Sequence, residues 1–423
     1  MSMKKILIIG AGISGLTAAY RLRLDGHDVT VVESGNAPGG WVQTDQDSHG
    51  GRIEKGPQLM AVEAGTPLHL LLCSLEIPLT THRHLSRFIG IDGRLIRVPR
   101  NLLEFFKSPL LTLQGKLRIF LEPFLYHFVD KGREYTLQEA IEKRFGFEVA
   151  NRLAPALVNG ILAVPSSEVS QESFPVFSKS NDRSLLWESI KRGSTILATP
   201  SRGMGQLTQV LASKCTIVFN TEITTLEYRQ QHWHASGASY HEKFDSIFLA
   251  TAAHKAATLL TSVSPRLSSV LRNIEYTSLH LCHSTHSYNK TLDDSLGFLL
   301  HPNESEFLLG CFVSSSLEPL DKPKTLKLRT FIKANQSPAP NWQDIYSELL
   351  KWLPDLSPCA FSRIETAQLA IPKLQLGQSP EIITALKDLP MGLDWIGGAR
   401  FGPGVKDIVE GIDSWMKRSD LEA

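Results

Sequence analysis

Neither sign of charge is in excess: 44 Lys plus Arg stand against 43 Asp plus Glu in 423 residues. A global basic surface for nucleic acid is therefore not expected. Cysteine is scarce. Cys73, Cys215, Cys282, Cys311 and Cys359 are widely spaced, odd in number and include no C-x-x-C pair, which argues against a disulfide framework or a zinc site and fits a reducing compartment. No apolar run is long enough for a transmembrane helix, so any membrane contact is expected to be peripheral. Internal repeats and low-complexity segments are missing as well. The length exceeds what one core supports, and about two or three domains are expected.

What is present begins with KKILIIGAGISGLTAAYRLRLDGHDVTVVESGNAPGG, from Lys4 to Gly40. Ile6 to Ile9 is continuously apolar and largely β-branched, as in a strand buried on both faces of a parallel sheet. Met1 to Gly15 imitates a secretory signal superficially, but its removal would destroy the glycine turn, so the strand reading is preferred. Gly10 permits the tight turn, Gly12 lets backbone approach a pyrophosphate, and Gly15 lets the following helix pack on the strand. Orphan N–H groups at that helix start then face the phosphates. Gly26 stands where a left-handed helix cap belongs. Val29 to Val32 forms a second strand, and Glu33 follows Gly15 by 18 residues. A carboxylate there accepts from a ribose 2′-OH and repels a 2′-phosphate, which disfavours NADP. The position of the unit at the N-terminus and the second glycine pair at Pro38-Gly39-Gly40-Trp41 favour FAD over NAD.

Further along, Pro67 to Leu75 reads as a helix, and Arg87 to Val98 as a hairpin around Asp92-Gly93. Pro99 to about Arg192 reads as helical. Leu117, Phe120, Leu121, Phe124, Leu125 and Phe128 form one apolar stripe, interrupted by Pro123, which should kink the helix or begin a new one. The stripe fits either core or a membrane-docking face on which Lys107, Lys116, Arg118 and Lys131 meet anionic headgroups. Ser201 to Gly205 opens another helix, Ser246 to Ala250 is a strand that returns to the nucleotide-binding sheet, and short strands between Leu279 and Phe331 are expected with Gly297, Pro302, Gly310 and Pro319 marking turns. The tail GGARFGPGVKDIVEGI opens a final helix. His82, His84, His280, His283 and His286 show no spacing tied to a partner, so no general acid or base, and no metal ligand, is assigned.

GGWVQT from Gly39, EKGP from Glu54, Arg87-Phe88, the block Thr136 to Ala163, SRGMGQL from Ser201, Leu296-Gly297-Phe298 and the glycine tail together resemble the oxygen-dependent protoporphyrinogen and coproporphyrinogen oxidases, over nearly the whole chain. The resemblance implies an α/β fold similar to amine oxidases. It has a discontinuous Rossmann-like FAD domain (residues 1–79, 195–260 and 385–423), a mixed-sheet substrate domain (80–98 and 261–384) and an inserted helical, membrane-docking domain (99–194). It places Gly10, Ala11, Gly12, Ile13, Ser14, Gly15, Glu33, Ser34, Gly40 and Trp41 around the adenine end and pyrophosphate of FAD. Gly56, Pro57, Gln58 and Leu59 lie beside the isoalloxazine, Ile223 contacts adenine, and Ala399, Gly404 and Val405 close over the flavin. For the substrate it implies Arg87 on a propionate, Phe298 and Leu300 sandwiching pyrrole rings, and Gly160 with Ile161 positioning the oxidised carbon.

The implied activity is FAD-dependent, six-electron oxidation of protoporphyrinogen IX in haem synthesis, with dioxygen or a quinone as acceptor. Coproporphyrinogen III, another amine-oxidase-like reaction and a non-catalytic FAD scaffold are the alternatives. Cytoplasmic location with peripheral contact at the inner face of a membrane, and a homodimer, complete the expectation. Three departures bear mainly on substrate identity: the chain is short for such an enzyme, QLMAVEAG follows Gly56-Pro57, and Arg400 and Lys406 flank the tail.

Overall fold

The computed structural model describes residues 2–46, 51–128, 130, 133–178, 184–192, 195–287, 292, 294–318, 325–334 and 339–418. The chain divides into two compact units. One comprises Met1–Thr81, Thr195–Glu275 and Gly377–Ala423, the other His82–Ser194 and Tyr276–Leu376.

In the first unit the apolar run becomes the strand Lys5–Ile9 at the centre of a five-stranded sheet. Its neighbours are Asp28–Val32 and Ser246–Leu249, flanked in turn by Thr216–Val218 and Leu393–Trp395. All the pairings are parallel. Parallel strands need crossovers that cover both faces, so the central strand has no polar face to show water. Ile6, Leu7, Ile8 and Ile9 are accordingly buried. Helices Ile13–Leu24, Pro67–Ser74, Gly205–Ser213 and Val405–Met416 pack their apolar residues into one core with the sheet. The expected return to the sheet near Ser246 and the left-handed Gly26 (φ 86°) are both observed.

The second unit is built on a seven-stranded mixed sheet in the order Cys359–Lys373, Glu275–Ser287, Thr325–Lys333, Leu308–Val313, Ser295–Leu300, Ser86–Ile91 and Arg94–Arg97. Ser86–Ile91 runs parallel to Ser295–Leu300. One face packs on helix Trp342–Trp352 through Ile345, Leu349 and Trp352. The opposite face carries Ile89 and Ile91 against Ala156 of helix Ala154–Leu162. The hairpin forms as expected, with Asp92 and Gly93 at φ 56° and 69°. The Glu304 carboxylate accepts from both turn N–H groups at 2.7 and 3.1 Å.

Some expectations change. Gly297 and Gly310 are not turns: they lie inside strands, where the register shifts by a bulge. Gly297 has φ 124°, and a Cβ there would stand 2.0 Å from the Cys311 carbonyl oxygen, so a strand residue here can only be glycine. Pro302 does occupy a turn, while Pro319 lies outside the described residues. Pro123 begins a new helix, Glu122–Leu125.

Three members of the apolar stripe turn outward. Leu117 is 52% exposed and Phe124 71%, with Leu121 and the preceding Leu102, Leu103 and Leu113 also exposed, which removes the core reading for these positions, while Phe120 and Leu125 are half-buried. Two of the cations proposed beside the stripe are not available to a headgroup. Lys116 is only 6% exposed and donates to the Phe106 and Ser108 carbonyls. Arg118 donates to the carbonyls of Arg144 and Lys143. Lys131 lies outside the described residues.

Candidate active site

The first glycine turn leaves its amides open. Gly10 N–H donates to Val32 O (2.8 Å), and the first intrahelical bond of Ile13–Leu24 runs from Leu16 to Gly12 O at 2.9 Å. The N–H groups between them have no acceptor within the helix. Gly12 caps the helix without any side chain, and a Cβ at Gly12 would meet nothing within 4 Å. The approach to these amides is therefore unobstructed, as a phosphate oxygen requires. Ala11, Ile13 and Ser14 hold the turn from the buried side. Gly15 is a different constraint, because its Cβ would lie 2.0 Å from Gly10 O.

Two further segments fold onto this turn. Gly39 donates to Ala11 O at 2.7 Å and bridges to Gly12, while a Cβ on Gly40 would lie 3.5 Å from the Gly12 Cα. Glu33 ends its strand with the carboxylate accepting from Ala11 N–H and Gly35 N–H, each at 2.8 Å, and from the Ser34 hydroxyl. A carboxylate has about four lone-pair sites, so acceptor capacity remains for a ribose hydroxyl. Thr221 N–H donates to Glu33 O at 3.0 Å, which sets the start of the strand Ile223–Arg229 beside the acid.

Trp41 O lies where a Gly56 Cβ would be, at 2.2 Å, so the second glycine block packs on the Gly56–Leu59 segment. Pro57 follows Gly56, and the Gln58 carbonyl accepts from Thr199. The C-terminal tail arrives at the same turn. A Cβ on Gly398, next to Ala399, would lie 3.9 Å from Ser14 Oγ. Gly404 precedes Val405 at the start of the last helix and donates to Asp407 at 3.1 Å. Arg400 and Lys406 serve as fasteners: Arg400 pairs with Asp394 at 2.8 Å, and Lys406 with Glu63 at 2.6 Å. Open helix amides, an acid with spare acceptor capacity and glycines from three distant segments converge in one unit. They fit a bound dinucleotide and define the class as a dinucleotide-binding protein.

Comparison with known proteins agrees. Residues 13–355 match the flavin-containing amine oxidoreductase family, and the chain belongs to that family. FAD is its cofactor. Protoporphyrinogen oxidase 2 of Arabidopsis thaliana is 32% identical over 188 residues, which covers 41% of this chain and 36% of the relative. Coproporphyrinogen III oxidase of Bacillus subtilis is 26% identical over 316 residues, 65% of each protein. The matches thus span less than two thirds of these relatives' own lengths. A candidate protoporphyrinogen oxidase from Exiguobacterium sp. 255-15 superposes with a TM-score of 0.78 at 20% identity over 100% of both chains, which shows a shared fold.

In the second unit strand register decides which residues share a face. Arg87 pairs with Gly297, Phe88 with Phe298, Ile89 with Leu299 and Gly90 with Leu300. Laterally paired residues share a face and successive ones alternate. Arg87, Ile89 and Leu299 therefore lie on the face of helix Ala154–Leu162. A Cβ on Gly160 would stand 2.5 Å from a Leu299 methyl, and Ile161 beside it is exposed.

Phe298 and Leu300 are not where the resemblance implies. They point to the other face and are 4% and 1% exposed, packed with Cys282, Leu328, Leu349 and Trp352. In this arrangement they serve as core residues of the sheet. Leu299, between them in sequence, shares the face of Arg87 and Gly160, which only the strand register reveals. Phe298→Leu should accordingly cost roughly 1–2 kcal/mol of stability, read by chemical denaturation, with KM unchanged in folded protein. A raised KM at unaltered stability would return Phe298 to the substrate site.

The same register continues from Gly297 to Phe312 and Arg329, and from Arg329 to His283. Burial pushes the His283 imidazole down to about 3, and the Arg329 and Arg363 guanidiniums act in the same direction. His283 is thus neutral near pH 7. His286 is also shifted down by burial, opposed by the hydrogen bond its Nδ1–H donates to the Ser357 carbonyl at 2.8 Å.

Proposed function

We propose that the protein oxidises protoporphyrinogen IX to protoporphyrin IX with dioxygen as acceptor. The observation that carries this reading is the placement of Arg87, an exposed guanidinium, on the same sheet face as Leu299, Gly160 and Ile161. A carboxylate anchor beside an apolar surface suits a flat, apolar ring system that bears propionates. When bound, FAD supplies the two-electron acceptor. The chain's residues bind and orient the ring and keep water from it, and these roles require no nucleophile or charged base. Three two-electron oxidations convert the porphyrinogen to porphyrin, and three dioxygen molecules leave as three hydrogen peroxide molecules.

Coproporphyrinogen III is the second reading, favoured by the longer alignment with the Bacillus subtilis relative. Porphyrin fluorescence measured on both substrates side by side, with oxygen consumption, discriminates the two. No porphyrin from either, with flavin that stays oxidised under anaerobic mixing, would leave another amine-oxidase-like reaction or a non-catalytic FAD scaffold. Arg87→Ala should raise KM about ten- to hundred-fold with kcat little changed, the loss of one charge-assisted contact. Unchanged kinetics would remove Arg87 from the site.

The exposed Leu102, Leu103, Phe106, Leu117, Leu121 and Phe124 support peripheral membrane contact by this helical region. Among the described residues no helix is long and apolar enough to cross a membrane. A cytoplasmic protein resting on the inner face of a membrane, as monomer or homodimer, is consistent with this proposal.

A further inference from the structure

The second unit has a cleft of about 380 Å³ lined by His84, Ser86, Phe88, Arg97, Arg100, Asp294 and Ser295. Its volume falls within the ~300–1,000 Å³ typical of small-molecule sites. Phe88 lies on the face of the sheet opposite Arg87, because adjacent strand residues alternate. The cleft is therefore separate from the Arg87 face.

Its construction is specific. Arg97 pairs in register with Phe88, so the guanidinium stem and the half-buried ring lie side by side on one face. Arg100 donates to the His84 carbonyl and, at 2.9 Å, to the Ser86 hydroxyl. Those bonds fix its guanidinium at the cleft wall and leave other N–H donors unused. Ser86 N–H in turn donates to Asp294 O at 2.6 Å, which ties the two rims together. Arg97 and Asp294 both line the cleft. Two guanidiniums against one carboxylate leave the cleft net positive, with an aromatic floor and serine hydroxyls.

We propose that this cleft binds a small molecule bearing a phosphate or carboxylate group on an aromatic body. The anion lies between Arg97 and Arg100, where planar guanidinium donors match its oxygens. The aromatic body packs on Phe88. Asp294 and the serines select ligands that also carry a hydroxyl or amine, and disfavour a bare polyanion.

Isothermal titration of the flavin-loaded protein with phenyl phosphate, benzoate and inorganic phosphate tests this without any turnover. Its outcome is therefore independent of whether a porphyrinogen is the substrate. Saturable one-to-one binding of phenyl phosphate or benzoate, tighter than inorganic phosphate, is expected. Arg97→Ala, which removes an exposed side chain and keeps the flavin spectrum, should weaken it about ten-fold or more, the worth of a charge-assisted hydrogen bond. Arg87→Ala should leave it as in the wild type. Absence of saturable binding, affinity unchanged by Arg97→Ala, or loss in Arg87→Ala would each overturn the site. Equal affinity for inorganic phosphate would overturn the aromatic contact.

Discussion

Gly15→Ala should yield protein that has lost most of its bound flavin, read as the ratio of flavin to protein absorbance after purification. The added methyl would stand 2.0 Å from Gly10 O and 3.0 Å from the Ala250 Cβ. The first obstacle is backbone and the second is a core side chain, so neither can turn aside. Helix Ile13–Leu24 must then move off the strand and carry its amides out of register with the phosphates. Because those N–H groups act together, an ångström of displacement weakens several hydrogen bonds at once, each worth about 0.5–1.5 kcal/mol net and more to a charged oxygen. Gly12→Ala is the contrast, since its Cβ would meet no protein atom within 4 Å. Full flavin content in Gly15→Ala would show that the strand and helix are not held as closely as described.

Glu122→Ala should destabilise the protein by about 4–6 kcal/mol. The carboxylate is fully buried and does three jobs. It pairs with Arg144 at 3.1 Å, and Arg144 is itself only 1% exposed. It accepts from the Leu185 and Leu186 N–H groups at 3.0 and 3.2 Å and from the Ser184 hydroxyl, at the start of helix Leu185–Arg192. Burial pushes the Arg144 guanidinium down and the Glu122 carboxylate pulls it back up. Removing Glu122 deletes the buried ion pair of Arg144, which costs about 3–5 kcal/mol, and removes the acceptor for two N–H groups at a helix start for about 1 more. Glu122→Gln keeps the acceptor for the helix and should recover part of the loss. Thermal and denaturant unfolding check both variants, and equal stability of wild type and Glu122→Ala would refute the staple.

The cofactor half of the molecule was legible because its signals are local. A buried strand, a glycine turn, a helix and an acid at fixed spacing can be read without knowing any partner, and the second glycine pair and tail add to them. The substrate half was less legible because its signals are lateral. Which of Phe298, Leu299 and Leu300 faces Arg87 depends on a one-residue register across a parallel pair, and the bulge at Gly297 hides that register from any period-two count. Lys116 and Arg118 failed for a related reason. A cation on a helix looks free in sequence until the carbonyls it caps, such as those of Phe106 and Ser108, are known. Helix Trp342–Trp352 did have a local signal, the reciprocal cap between Asn341 and Asp344, which went unread.

The arrangement of the five-stranded sheet also sets an order of events during synthesis. Ile8 pairs with Phe248, and Leu249 with Trp395, so the glycine turn made first has its walls made last. A ribosome adds roughly 5–20 residues per second, which leaves the opening turn waiting on the order of tens of seconds for its closing strand. Through that interval the apolar run Ile6 to Ile9 has no complete sheet to enter, and the nascent chain must be kept from pairing with itself or its neighbours. Flavin capture is consequently a late step, one that follows synthesis of the strand Leu393–Trp395.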